Sequence, residues 1–422
     1  MKNNKLKELK NLKLRTRTIG LSKLRIIAIV CLLLFAGYSG VNATIKLGND
    51  GTTDWSMVDN DKIRTSNGES FPMTKTGLQN AIWNFNSTYG NGTVYIPATT
   101  SNLDSQITIT SFSKFTIEGI GESTFLGLGH NGTFLKFDNC TLCTVKNLRI
   151  LGNKAIYDGE GYGIYFTGTS SDTSWANRIE EVTIGLFHNN GVHIKNTNTM
   201  FISNSYIESN DNADIYLEGS PNSIINNIQM ENSKYGIYED TSSTDTIISN
   251  CHVIYPTDQG FSLRSVSGGT YSNCWVNGAS GTPSYCFFTA SGTENKQFSN
   301  CYAKRLDGGT SAFYCGGNNH TYTGCNAEGY NAGVTQGFQI TGTNNVFSSC
   351  IVHGVVTNVG YALSAGKFNV FIGCNDRGSY YATSIFPTQN VSNANAGFGW
   401  FETSTNILNV YNGTAWVSTT LT

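Results

Sequence analysis

The heptapeptides IISNCHV (residues 247–253) and TYSNCWV (270–276) share one pattern, Ser-Asn-Cys inside alternating apolar positions, and lie 23 residues apart. Working outward, the pattern returns upstream as RIEEVTI (178–184), FISNSYI (201–207) and IINNIQM (224–230). Downstream it returns as QFSNCYA (297–303), TYTGCNA (321–327), VFSSCIV (346–352) and VFIGCND (370–376). The shared position runs Val182, Ser205, Ile228, Cys251, Cys274, Cys301, Cys325, Cys350, Cys374, at intervals of 23, 23, 23, 23, 27, 24, 25 and 24. Leu148 and Ile120 extend this column backwards, past a longer excursion at 152–177. A near-constant period marks a stack in which each unit buries its apolar face only against its neighbours.

About ten residues after each heptapeptide comes a second short segment, usually opened by Gly. Examples are GIYF (163–166), GVHI (191–194), DIYL (214–217), GIY (236–238), GFSL (260–263), GFQI (337–340) and GYAL (360–363). Two or three short strands per repeat, each pairing with its equivalent about 4.8 Å away, predict an all-β chain. The fold expected is a right-handed parallel β-helix, a solenoid of about 9–11 coils. Alternation points Ile248, Cys251 and Val253 inward and His252 outward. Phe298, Tyr322, Phe347 and Phe371 then stack as an interior ladder, beside six cysteines read as packed thiols rather than disulfides. The column Asn204, Asn227, Asn250, Asn273, Asn300 is read as structural, its amides bonding along the stack and satisfying buried turn backbone.

Composition agrees with strands and turns: 46 Gly, 6 Pro and 13% charged residues. Residues 1–43 read as a signal peptide or signal anchor, with nine Lys/Arg against Glu8, an apolar run from Ile26 to Tyr38, and Val41-Asn42-Ala43 before the cleavage point. That run is shorter than the ~20 residues of a spanning helix, so the mature chain is expected to carry no membrane span. The expected location is secreted or on an extracellular surface, a virion surface included. The formal charge of −2 becomes −10 without that segment, because nine of 27 basic residues but one of 29 acidic residues lie in it. Such a balance excludes general attraction for nucleic acid.

Residues 44–115 are expected to form an N-terminal cap region, in which TGLQNAIWNFN (76–86) is a helix with Leu78, Ile82 and Phe85 on one face. The solenoid proper is assigned to 116–385. A tail, 386–422, carries a hairpin signal, Asn412-Gly413 between LNVY and TAWV.

Ala81-Ile82, then Gly92-Thr93-Val94-Tyr95-Ile96-Pro97, then FTIEGIGEST (115–124) followed by the coils, resemble the opening of the pectate-lyase-like superfamily, phage tailspike-type proteins among them. The resemblance implies the β-helix fold and, by analogy with tailspikes, a homotrimer. It is weakly specific for activity, because lyases, hydrolases, epimerases and inert adhesins share this fold. The motif sets of the superfamily's polygalacturonases are absent; Arg178-Ile179-Glu180 lacks the Lys that would complete one. No cofactor is expected; Ca²⁺ is the one alternative kept open, with no clear acidic cluster to hold it, and no metal-ligand set is assigned.

The second strands carry the candidate chemistry on their outward positions. One outward column reads Tyr165, His193, Tyr216, Tyr238, Ser262, and the next reads Lys195, Glu218, Asp240, Arg264. Glu218 and Asp240, about 5 Å apart at their backbones, are the candidate catalytic pair, as acid and as nucleophile or base. His193, Lys195, Tyr216, Tyr238 and Arg264 are the candidate substrate-binding residues, since aromatic faces suit sugar rings. A polysaccharide or cell-surface glycan is the expected partner. Two classes compete: a polysaccharide lyase or glycoside hydrolase, and a non-catalytic adhesin or spacer. The plainer reading is a solvated sheet face with favourable cross-coil pairs. Glu208 and Glu231, near Tyr206, Gln229, His252, Trp275 and Tyr302, form the next candidate pair.

Overall fold

The computed structural model describes residues 62–376 except 89–90, 122–123, 130–131, 157–160, 170–173, 280–284, 306–310, 330–335, 354–359, 364–368 and 373, and it describes three strands within 399–420. The signal segment, the residues Asp158, Glu160 and Asp172 of the long excursion, and the Asn412-Gly413 turn lie outside the described residues.

One coil shows the construction. Ile247–Ser249 makes face 1, His252–Ile254 makes face 2 and Gln259–Leu263 makes face 3. Every face pairs in parallel with the next coil: Ile248 with Tyr271, Val253 with Val276, and Phe261 with Phe287. Face 3 continues as an 11-stranded sheet from Ile107–Thr110 to Tyr361–Leu363. The chain is therefore a right-handed parallel β-helix, wound with the period read in the sequence.

The corners explain the asparagines, though not in the expected way. Between faces 1 and 2 the chain turns on one left-handed residue per coil: Asn147, Glu181, Asn204, Asn227, Asn250, Asn273, Asn300, Gly324 and Ser349, with φ between 51° and 61°. Asn and Gly tolerate that conformation best among the residue types. A second left-handed column, Thr199, Asn222, Asp245, Gly268, Asn295, Asn319, Asn344, precedes face 1. Asn204, Asn227, Asn250, Asn273 and Asn300 are exposed, so their amides do not serve buried backbone. Partial amide ladders do form, Asn227 Nδ2 to Asn204 Oδ1 at 2.9 Å and Asn273 Nδ2 to Asn250 Oδ1 at 3.3 Å, but Asn250 donates to Asn226 instead.

Inside, the ladder Tyr271, Phe298, Tyr322, Phe347, Phe371 stacks at 4.6 to 4.9 Å between ring centroids. A second ladder, Phe261, Phe287, Phe313, Phe338, Tyr361, lines face 3 at 4.6 to 5.1 Å. The stacked cysteines are free thiols, each bonding backbone carbonyls: Cys274 Sγ meets Ser272 O at 3.4 Å and Ile248 O at 3.6 Å. Leu148 joins the column, in register with Val182. Ile120 does not; Phe125 pairs with Arg149, so the position level with Leu148 is Thr124.

Helix α1 (Lys75–Thr88) begins at Thr74, whose Oγ1 accepts the Gly77 N–H at 3.0 Å. It buries Leu78, Ala81, Ile82 and Phe85. Gln79 bonds both the N–H and the C=O of Thr108, so the first strand of face 3 does not present a bare edge there. Among the described residues, no helix is long and apolar enough to cross a membrane. In the tail, Ile407–Tyr411 pairs antiparallel with Trp416–Thr420 and with Gly399–Glu402 on its other side.

Candidate functional site

Because register on face 3 is strict, its outward positions line up coil by coil. The column reads Lys136, Tyr165, His193, Tyr216, Tyr238, Ser262, Phe288, Tyr314, Gln339. Tyr165, His193 and Tyr216 stack at 4.9 and 4.8 Å, and Tyr238 meets Tyr216 edge-on at 4.9 Å. Ser262 would break the row. Arg264 fills the gap, its guanidinium 5.3 Å from the Tyr238 ring centroid and 5.0 Å from that of Phe288, with Nε on Ser262 Oγ at 3.1 Å. Phe288 then stacks on Tyr314 at 5.0 Å. Tyr162, Tyr235 and Tyr285 flank the row and widen it into a pavement. Seven coils at the strand spacing make it about 30 Å long.

Of the seven residues picked from sequence, His193, Lys195, Tyr216 and Glu218 form one cluster. Glu218 is clamped, with Lys195 Nζ 2.6 Å from Oε1 and His193 Nε2 3.0 Å from Oε2. Burial works against its charge, yet the Lys195 hydrogen bond and the His193 interactions outweigh it and hold the carboxyl below its usual range. His193 is 5% exposed, and burial pulls its pKa down to about 4, so at neutral pH it is a neutral ring donating Nε2–H to Glu218. The Tyr216 hydroxyl is pushed up to about 12, first by burial and then by Glu218. Tyr238 and Arg264 continue the row one and two coils on.

Asp240 has different work. Its Oδ1 accepts the Gly219 N–H at 3.1 Å, the Ser242 N–H at 3.0 Å and the Ser243 hydroxyl at 3.1 Å. Three donors on one oxygen tie this carboxylate into the turn after face 3. Glu218 is thus held ionised by its neighbours on face 3, while Asp240 is bonded through Oδ1 to its own turn. Glu208 and Glu231 do stand side by side on face 2, each bonded within its own strand, to Tyr206 at 3.2 Å and to Gln229 at 2.7 Å.

The sequence does not single out Phe288, Tyr314 or the adjacent Tyr285. Their strands, Tyr285–Thr289 and Ser311–Cys315, lack the opening Gly that marks most of the others, and only the register aligns them. Among the described residues, no group of three or more His, Cys, Asp or Glu side chains is arranged to hold a metal ion.

Comparison with known proteins supports this architecture. A family model described as right handed beta helix region matches residues 133–303. No curated protein matches the chain. Among solved structures, the A-module of the Azotobacter vinelandii mannuronan C-5 epimerase AlgE6 is similar at 14% identity and TM-score 0.54, over 72% of this chain and 95% of that one. The catalytic unit of the GH87 α-1,3-glucanase from Streptomyces thermodiastaticus is similar at 14% identity and TM-score 0.51, over 74% and 68% of the two chains. At that identity the likeness is one of fold.

Proposed function

We propose that this chain is an exported β-helix protein that binds a polysaccharide lengthwise along the outer surface of face 3, without cleaving it. The observation that carries the reading is the unbroken row from Tyr165 to Tyr314, bridged at its one gap by Arg264. Successive rings at 4.8 to 5.0 Å, with Arg264 standing in at the Ser262 coil, offer a continuous surface to an extended sugar chain. Glu218, kept charged by Lys195, is a fixed acceptor for sugar hydroxyls beside the row. Arg264 has no carboxylate partner among the described residues and adds a cation at the centre. The epimerase and glucanase similar in fold are, by name, polysaccharide-acting proteins, which supports the same ligand class. Adhesion is favoured over hydrolysis because Asp240 serves its turn and Glu218 is held ionised.

The test is a polysaccharide panel read for both binding and cleavage. Wild type should retain at least one polysaccharide, Tyr216→Ala should weaken it about tenfold or more, and no reducing ends or unsaturated products should accumulate. Cleavage that Glu218→Gln abolishes would replace this reading with the enzymatic one. Binding that Tyr216→Ala leaves intact would remove face 3 as the platform.

A further inference from the structure

Face 3 leaves unexplained a groove at the opposite vertex of the coil, where faces 1 and 2 meet. It encloses about 530 Å³ and is lined by Asn147, Glu181, Asn204, Tyr206, Asn227 and Gln229, among others. Three features of this groove point to one kind of ligand. Its lining is amide, hydroxyl and one tyrosine ring, a mixture that both donates to and accepts from hydroxyl groups. The amides are partly committed to each other, Asn227 Nδ2 to Asn204 Oδ1 at 2.9 Å, which fixes their orientation and leaves the Asn227 carbonyl and the Asn204 amino group turned to other partners. Tyr206 and Gln229 are likewise set in place by Glu208 and Glu231.

The third feature is Glu181. It occupies the left-handed corner with φ 54°, where neighbouring coils use Asn147 and Asn204. A glutamate gains nothing from that backbone conformation, which Asn tolerates better. Its side chain is exposed in the groove and has no hydrogen-bond or ion-pair partner among the described residues. Its carboxylate stands at the groove wall unused by the fold, a free acceptor for hydroxyl groups.

We infer that this corner groove is a second saccharide site, for a short neutral oligosaccharide whose hydroxyls are read by Glu181, Asn204, Asn227 and Gln229 and whose ring packs against Tyr206. Neutrality follows from the lining: its one charged side chain is Glu181, which has no ion-pair partner among the described residues and so disfavours an anionic sugar. The groove lies across the coil from face 3, and the inference stands whether or not face 3 binds a polysaccharide. If both do, one chain holds two glycans on opposite sides.

The experiment titrates the full chain with neutral trisaccharides (maltotriose, cellotriose, laminaritriose, mannotriose and chitotriose) by saturation-transfer NMR and calorimetry. The informative variant is Glu181→Asn, which restores the residue type of the adjacent coils and so keeps the fold. Wild type should bind at least one probe, and Glu181→Asn should weaken it about tenfold or more while its melting temperature stays level or rises. Gln229→Ala should weaken the same probe, and Tyr216→Ala on face 3 should leave it unchanged. No binding of any probe at about 10 mM, or equal binding by wild type and Glu181→Asn, overturns the site. Loss on Tyr216→Ala with Glu181→Asn unaffected would assign the sugar to face 3 and equally overturn it.

Discussion

His193 and Glu218 are joined across one coil step, Nε2 to Oε2 at 3.0 Å, with the ring 5% exposed between Tyr165 and Tyr216. The bond looks like an ion pair but is one between a neutral donor and an anion, because burial holds the imidazole near a pKa of about 4. The folded ring refuses a proton that the unfolded chain accepts near pH 6.5. Stability is therefore complete above about pH 6.5 and declines as pH falls toward 4, where the folded ring titrates too. From pH 7 to pH 5 this one group should cost about 2 kcal/mol, and His320, lowered to about 3 by burial, acts in the same direction. Urea unfolding at the two pH values measures it. His193→Phe keeps the stack and should lose less stability over that interval than wild type; an equal loss would show that His193 is solvated.

The corner column makes a prediction about backbone rather than contacts. Asn273 has φ 51° and an exposed side chain, so its worth lies in tolerating the left-handed conformation. Asn273→Ala should cost about 1 kcal/mol, while Asn273→Gly should stay within a few tenths. If both cost the same, the amide bond to Asn250 at 3.3 Å is what holds the corner, and the ladder reading is restored.

These corners also show what the sequence could and could not reveal. Period and alternation placed Cys251, Val253 and Phe298 inside, and all three are buried. Both signals are written directly in residue spacing, and register fixes every later coil once one is fixed. The asparagine column was visible as a column, but its cause is a φ angle, which residue identity suggests and does not state. Asp240 shows the same boundary. Its position beside Glu218 follows from the period, whereas its capture by Gly219, Ser242 and Ser243 depends on the path of a turn that breaks the repeat. Phe288 and Tyr314 escaped because their strands carry Tyr285 and Ser311 near the start, without the usual Gly.

The cysteine column should behave as packing, not as covalent cross-linking. Cys251, Cys274, Cys301, Cys325 and Cys350 are buried, and each Sγ sits on backbone carbonyls. Burial raises the Cys251, Cys301 and Cys325 thiols well above the usual thiol range, which disfavours the reactive thiolate there. A reductant should leave the melting temperature unchanged, and a thiol reagent should label these positions only as fast as the chain unfolds. A reductant-induced fall in melting temperature, matched by disulfide-linked peptides from the column, would refute the packed-thiol reading.

The last prediction concerns charge inside the solenoid. Lys296 and Glu239 are fully buried, with Nζ 3.5 Å from Oε2, 2.5 Å from Ser265 Oγ and 3.1 Å from both Tyr271 OH and Gly268 O. Glu239 stands in the inward column of face 3 between Leu217 and Leu263, where an apolar side chain would suit the stack. Burial pulls the lysine pKa down, and Glu239 restores part of it, so each charge is tolerable only because of the other. Lys296→Met strands the carboxylate with only Tyr271, Thr246 and Ser265 hydroxyls around it and should cost about 3–5 kcal/mol. The double variant Lys296→Met, Glu239→Leu completes the leucine column and should recover most of that loss, since a buried ion pair replaced by apolar groups of similar volume is commonly neutral or better. Denaturant unfolding of the single and double variants decides it. A double variant no more stable than the single one would mean that the hydroxyls, not the ion pair, organise this part of the core.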